Sequence, residues 1–256
     1  MANAAAQEGK YIYCIIEANA ARSFGPLGIG GRGDELFSVC LDGVGAVVSN
    51  SPLKKYSLAR ENSLTHERAI EEVMKEYAVL PVRFCTITKD EEKVKKILAQ
   101  EHDRFKDLLN KMRDKKELNL KAMFKEEIIY KEILGKYKDI RMQKEALLSE
   151  PAAKTYPQRR EIGEKVESAL QKEKAFYKEE ILNALPPLAE EIKVNSAYGE
   201  MMIINGAFLV AEDKEAGFDE KVQQLDAQYG DKIKFKYVGT LPPFNFVNLL
   251  IKTEGD

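Results

Sequence analysis

The chain has no tryptophan, only two histidines and three cysteines in 256 residues, and no excess charge, with 40 basic against 42 acidic residues. That balance leaves no basic field for a polyanion to feel, so nucleic acid is not an expected partner. Cys14, Cys40 and Cys85 are an odd number without the close pair spacings of a zinc site, and each lies in an apolar, strand-like run. They read as buried thiols of a reducing compartment. No apolar run approaches the roughly 18 residues needed to span a bilayer. Met1 to Gly9 lacks the charged start and long apolar core of a signal peptide, so the expected location is the cytoplasm, without membrane attachment.

What the chain does have is a globular composition, 44% hydrophobic and 32% charged, at a length that favours two domains. Tyr11 to Glu17 is rich in β-branched and aromatic residues and predicts a strand, followed by a glycine-dense loop from Asn19 to Asp34. Leu36 to Leu41 and Val44 to Ser49 are joined by Asp42-Gly43, a hairpin dipeptide. Ile70, Val73, Met74 and Tyr77 recur at helical spacing, with Asn62 or Ser63 as the N-cap. Leu80 to Ile87 returns to strand composition, with Pro81 better suited to the first position of a strand than to its middle. Thr88-Lys-Asp-Glu91 has the form of a capping box, and the stripe Val94, Ile97, Leu98, Phe105, Leu108, Leu109 and Met112 predicts one long helix. An N-terminal mixed α+β domain, residues 1–115, closes there.

The second domain, residues 116–256, opens with alternation from Leu118 to Phe124. Two antiparallel helices follow, Lys125 to Leu148 and Gln158 to Asn183, each roughly 35 Å long at 1.5 Å per residue. Beyond Pro186-Pro187 come a strand from Ile192 to Ser196, a strong strand from Met201 to Val210, a helix through Phe218, Val222, Leu225 and Tyr229, and a strand through Ile233, Phe235 and Tyr237. The order is the ferredoxin-like βαββαβ, with its first helix lengthened into a hairpin over about residues 125–183.

Few residues have the spacing that chemistry needs. Gly28-Ile-Gly-Gly-Arg-Gly33 matches a dinucleotide loop in spacing, but it leads into a strand, whereas a pyrophosphate needs a helix N-terminus. It reads as a mobile surface loop, and its Arg32-Gly33-Asp34 tripeptide as chance. His66-Glu67 would open a zinc-helix motif, yet Ile70 stands where the second ligand belongs. His66 and His102 read as solvated helix residues, and a nucleophilic pair with Cys40 or Cys85 would need the fold to bring them together. Glu71-Glu72 and Glu126-Glu127 sit among lysines and read as salt-paired helix surface. Ile128, Leu134, Tyr137, Ile162, Val166, Leu170 and Phe176 form the seam of the helical pair, or leave an apolar edge free for a partner helix. No catalytic, cofactor-binding or metal-ligating residue is expected, and no cofactor.

Several runs carry a family likeness: Tyr11-Ile-Tyr-Cys-Ile-Ile16, His66-Glu67 through Leu80-Pro-Val-Arg-Phe84, Ile203-Ile-Asn-Gly-Ala-Phe-Leu-Val210 and Gly239-Thr-Leu-Pro-Pro-Phe-Asn-Phe-Val247. In this order they resemble the gas vesicle protein F/L family, from Tyr11 to Val247, most weakly in the helical pair and the glycine loop. Leu241 stands where the family often has tryptophan before the double proline, which leaves the F and L branches open. The resemblance implies no catalytic residues. It implies an accessory or minor structural protein of gas vesicles that contacts the small hydrophobic shell protein and other accessory proteins. A shell subunit carries an apolar face that is an aggregation hazard before assembly, and a helper must cover it reversibly. The alternative is a ferredoxin-like small-molecule- or RNA-binding module unrelated to gas vesicles. Against RNA, neither Leu118 to Phe124 nor Met201 to Val210 supplies the basic and aromatic pattern of an RNA-reading sheet.

Overall fold

The computed structural model describes residues 7–147, 151 and 155–251, and these fold as two compact units. One contains the chain up to Glu117 together with the tail from Thr240; the other is Leu118–Gly239. This differs from the sequence-based division at 115/116 mainly in the tail, which belongs to the first unit.

The first unit is a five-stranded sheet of order β2-β3-β4-β1-β5. Its strands are β1 (Glu8–Glu17), β2 (Ser23–Gly25), β3 (Leu36–Leu41), β4 (Val44–Pro52) and β5 (Val79–Thr88). Central β1 carries six consecutive fully buried residues, Tyr11 to Ile16, so both of its faces are covered. Helix α1 (Arg60–Met74) packs Ala69, Ile70 and Val73 against Tyr11 and Tyr13, while α2 (Glu91–Gln100) and α3 (His102–Met112) supply Val94, Leu98, Phe105 and Leu109. The Asp42-Gly43 turn closes β3 and β4 with positive φ at both residues, 48° and 87°. That is the geometry in which a two-residue hairpin turn matches strand twist.

Several local expectations change. Helix α1 starts at Arg60 behind Ala59, without a side-chain cap, and Asn62 instead donates to the Ser57 carbonyl. The cap of α2 is Asp90, which accepts from Lys93 N–H at 2.8 Å, not Thr88. The expected long helix bends at Glu101, where the backbone turns to φ −107° and ψ 11°; α3 thereby sets the His102 imidazole 3.0 Å from the Asp42 carbonyl. Pro81 lies inside β5, tolerated because β5 is an edge strand whose second side needs no ladder donor.

The second unit has strands β6 (Lys115–Phe124), β7 (Glu191–Val194), β8 (Met202–Ala211) and β9 (Ile233–Leu241) in the order β7-β8-β6-β9. With α7 (Glu215–Tyr229) before β9, this is the ferredoxin-like arrangement. Its core packs Leu118, Leu120, Ala122 and Phe124 of β6 with Ile204, Phe208 and Val210 of β8 and Phe218, Val222 and Leu225 of α7. The hairpin insertion is α4 (Glu126–Lys136), α5 (Lys138–Ala146) and α6 (Tyr156–Ala184). Helix α6 runs 29 residues, about 43 Å at 1.5 Å per residue, with Pro157 in its first turn, where a missing N–H costs nothing. The first arm breaks at Tyr137, two residues after Gly135, and its expected end at Leu148 lies outside the described residues.

Phe208 is fully buried, with its ring 5.1 Å from that of Phe218. Phe208→Ala is expected to cost about 3–5 kcal/mol in urea unfolding, whereas alanine at exposed Leu58 should change stability little.

Candidate functional site

The residues with chemical potential gather first at an interruption in β5. The ladder pairs Ile12 with Thr86 and Cys14 with Pro81, so one residue of β1, Tyr13, faces four of β5, Val82 to Cys85. The run of family likeness from Leu80 to Phe84 is therefore a wide bulge, with Cys85 at φ 67°. Its freed backbone groups need partners. Cys85 N–H donates to the Tyr11 hydroxyl at 2.8 Å, and Tyr11 lies 3.1 Å from His66 Nδ1. His66 Nε2 lies 3.2 Å from the Val82 carbonyl. A carbonyl only accepts, so Nε2 carries the proton, Nδ1 accepts from Tyr11, and both ring nitrogens are committed to holding the bulge. Beside them Tyr13 bonds Ser49 and receives the Ile29 N–H, and Tyr56 bonds Ser51.

His66 is thus 5% exposed rather than a solvated helix residue. Its neighbours in sequence give no sign of this, because Tyr11 and Val82 lie 55 and 16 residues away. Burial lowers its pKa to about 4, only partly countered by the Val82 carbonyl. Cys85 shares the Tyr11 hydroxyl with this imidazole through its backbone N–H, while its sulfur accepts from Tyr56 N–H at 3.2 Å. Cys14 is fully buried and its thiol is pushed up by desolvation, whereas Cys40 and Cys85 are only half-buried.

The glycine loop leads into β3 as expected, but it is pinned rather than mobile. Ile29 is fully buried with its N–H on Tyr13, and Gly28 N–H reaches the Asp34 carbonyl. Arg32 is engaged by Glu8 and Asp34. Of the paired carboxylates, Glu72 holds Lys75, and Glu126 and Glu127 occupy the first turn of α4, where the helix dipole favours acids. Among the described residues no cluster of His, Cys, Asp and Glu could hold a metal ion, and no helix is long and apolar enough to cross a membrane.

Two buried carboxylates escaped sequence reasoning. Glu117 is fully buried and accepts from the backbone and side-chain N–H groups of Asn245, at 2.7 and 2.5 Å. This fixes the tail, whose Pro242-Pro243 begins a turn that sinks Phe246, Val247 and Leu249, and Leu249 pairs with Val82 in the bulge. In the hairpin Glu173, 6% exposed, accepts from Lys136 at 2.6 Å and from the Tyr137 hydroxyl at 3.1 Å, at the break between α4 and α5. Neither acid has a local motif, since its partner is far along the chain.

The hairpin seam is also shifted from the expected one. Ile129, Ile133, Ile140, Ala169, Leu170, Tyr177 and Ile181 form its buried centre, while Ile128 and Phe176 are 39% and 52% exposed. Leu134, Tyr137, Ile162 and Val166 are partly buried against it. Between the helices lies a cleft of about 430 Å³ walled by Tyr130, Ile133, Leu134, Leu147, Ile162 and Val166, with Lys144 and Arg159 on its lining. Gly163, also on its lining, presents no side chain there. Apolar walls, a few polar groups and this volume are the features of a recognition groove.

Because folded His66 takes its proton only near pH 4 and an unfolded imidazole near 6.5, its contribution is present above about 6.5, is lost as pH falls and is exhausted near 4. The loss is expected to reach roughly 3 kcal/mol. Urea unfolding across that range, compared with His66→Gln, should show the extra slope only in the natural chain.

Residues 9–248 match the family described as gas vesicle synthesis protein GvpL/GvpF. Gas vesicle protein F of Dolichospermum flosaquae is 29% identical over 204 residues, covering 78% of this chain and 82% of that protein. Gas vesicle protein F of Streptomyces sp. (strain CB03234) is 29% identical over 240 residues, covering 93% and 98%. The crystal structure of the gas vesicle protein GvpF from Anabaena sp. PCC7120 shares the fold with a TM-score of 0.80 at 22% identity, over 95% of this chain and 99% of that one. The bulge, the tail and the ferredoxin-like unit are thus features of a member of the GvpL/GvpF gas vesicle protein family.

Proposed function

We propose that the protein is an accessory or minor structural component of gas vesicles that binds the hydrophobic shell protein and supports vesicle assembly. The observation that carries this reading is the apolar cleft of the helical hairpin, walled by Leu134, Ile162 and Val166 beyond the sheet. Family membership supports the gas vesicle association. An assembling shell subunit has an apolar face to hide, and a groove between helices can take an amphipathic helix through a few anchor side chains and release it again. The protein works in this reading by covering and delivering a surface, not by making or breaking covalent bonds. Its site of action is the cytoplasm and the growing vesicle, among other gas vesicle accessory proteins.

The polar groups with reactive potential favour this over catalysis. His66, Tyr11 and Cys85 are engaged in holding the β5 bulge. The ferredoxin-like unit is compatible with many functions and by itself decides none.

The test is capture of purified shell protein by the natural chain and by a Leu134→Asp/Ile162→Asp variant whose fold is verified by circular dichroism. Loss of about 2–4 kcal/mol of binding is expected from charging the groove. Deleting the gene while leaving the rest of the cluster intact should abolish or malform vesicles. Undiminished capture by the variant, or normal vesicles in the deletion, would contradict the proposal.

A further inference from the structure

A second surface lies on the ferredoxin-like unit, on the face of its sheet opposite the core. In β9 the side chains of Ile233, Phe235 and Tyr237 join the core, so alternation turns Lys234, Lys236 and Val238 outward, and all three are exposed. In β6 the core takes Leu118, Leu120, Ala122 and Phe124, which leaves Asn119, Lys121 and Met123 on the outer face. The two strands run antiparallel from the Lys125 N–H to Lys232 carbonyl bond at one end to the approach of Gly239 to Leu118 at the other. That register sets Lys121 directly opposite Lys236, with Lys234 one step away.

Like charges directly opposite on a sheet are destabilising, so this arrangement is not explained by the stability of the sheet. The acids that share the face lie toward its other end: Glu117 is buried on Asn245, and Glu191 pairs with Leu209. Among the described residues Lys234 and Lys236 have no ion-pair partner. Lys121 Nζ sits 5.4 Å from the ring centroid of Tyr198, whose side chain is largely exposed. The whole chain carries a net charge of −2, so this face is a local cationic patch on a slightly acidic protein.

We infer that the outer face formed by Lys121, Lys234 and Lys236 docks an acidic segment of a partner protein. Charge complementarity selects the sign of the occupant. The outward positions of the central strands favour protein over nucleic acid: Ala207 and Leu209 are buried, Asn119, Met123 and Asn205 bear no ring, and Tyr198 beside Lys121 is a single ring where a run of stacked bases needs several. Lysines without arginine forks suit carboxylates approached as point charges, and Met123 and Val238 leave room for apolar side chains between acidic ones. This surface is separate from the hairpin cleft and rests on its own charge pattern, independently of shell-protein binding.

The test uses the full chain and a fluorescently labelled oligoglutamate peptide, followed by anisotropy at low and at physiological salt. The expected result is salt-sensitive binding that weakens roughly tenfold or more in Lys121→Glu/Lys234→Glu/Lys236→Glu. Lys95→Glu/Lys96→Glu, on the exposed side of α2, should bind as the natural chain does. Should the triple variant misfold by circular dichroism, Lys234→Gln/Lys236→Gln, both on exposed positions, is expected to show the same direction of loss. Equal binding by the natural chain and a folded face variant overturns the inference, as does absence of peptide binding. Tighter, equally face-dependent binding of a single-stranded RNA of matched charge would assign the surface to nucleic acid instead and overturn it too.

Discussion

The hydroxyl of Tyr11 is the joint of the first unit. Strand β5 leaves its partner for four residues, and a strand that does so inside a protein exposes N–H and C=O groups to an apolar surrounding. Tyr11 accepts the Cys85 N–H and donates to His66, and His66 passes the remaining donor to the Val82 carbonyl. This circuit works only with a neutral imidazole in one tautomer, and burial is what keeps it neutral. An unmade bond in such a setting costs about 1–3 kcal/mol, so the three groups persist together or not at all.

The tail depends on the same joint. Val82, whose carbonyl the imidazole holds, also pairs with Leu249, and Asn245 closes the other end of the tail on buried Glu117. Two of the runs that carry the family likeness, Tyr11 to Ile16 and His66 to Phe84, therefore meet at the bulge, and the tail that begins at Thr240 reaches it through Leu249. Their shared task is architectural. Polar residues that look reactive in the sequence are used to terminate backbone hydrogen bonds, whereas the apolar cleft between long helices and the cationic sheet face belong to the other unit.

What the sequence revealed, and what it hid, follows from the range of the interactions. The Asp42-Gly43 hairpin, the strand at Met202–Ala211 and the βαββαβ order were legible, since turn chemistry and periodicity are local. The burial of His66, the roles of Glu117 and Glu173 and the pinned glycine loop were not, because each partner lies at least 16 residues and up to 128 residues away or acts through backbone groups that carry no residue signature. The bends at Glu101 and Tyr137 were hidden for a related reason: the apolar stripe continues across each, and tertiary bonds from His102 to Asp42 and from Tyr137 to Glu173 set the turn. In the hairpin a one-residue error of phase, Ile128 for Ile129, exchanged an exposed side chain for a buried one. The apolar cleft followed from helix length and composition in outline, with Leu134, Ile162 and Val166 of its walls legible in the apolar stripe and Tyr130, Ile133 and Leu147 not.

Nitrogen NMR of the His66 imidazole in the folded protein near neutral pH reads the state of this joint directly. A neutral ring is expected, with a protonated-type resonance at Nε2 and an unprotonated, hydrogen-bonded resonance at Nδ1, unchanged on titration down to about pH 5. The opposite tautomer, or an imidazolium at neutral pH, would contradict it.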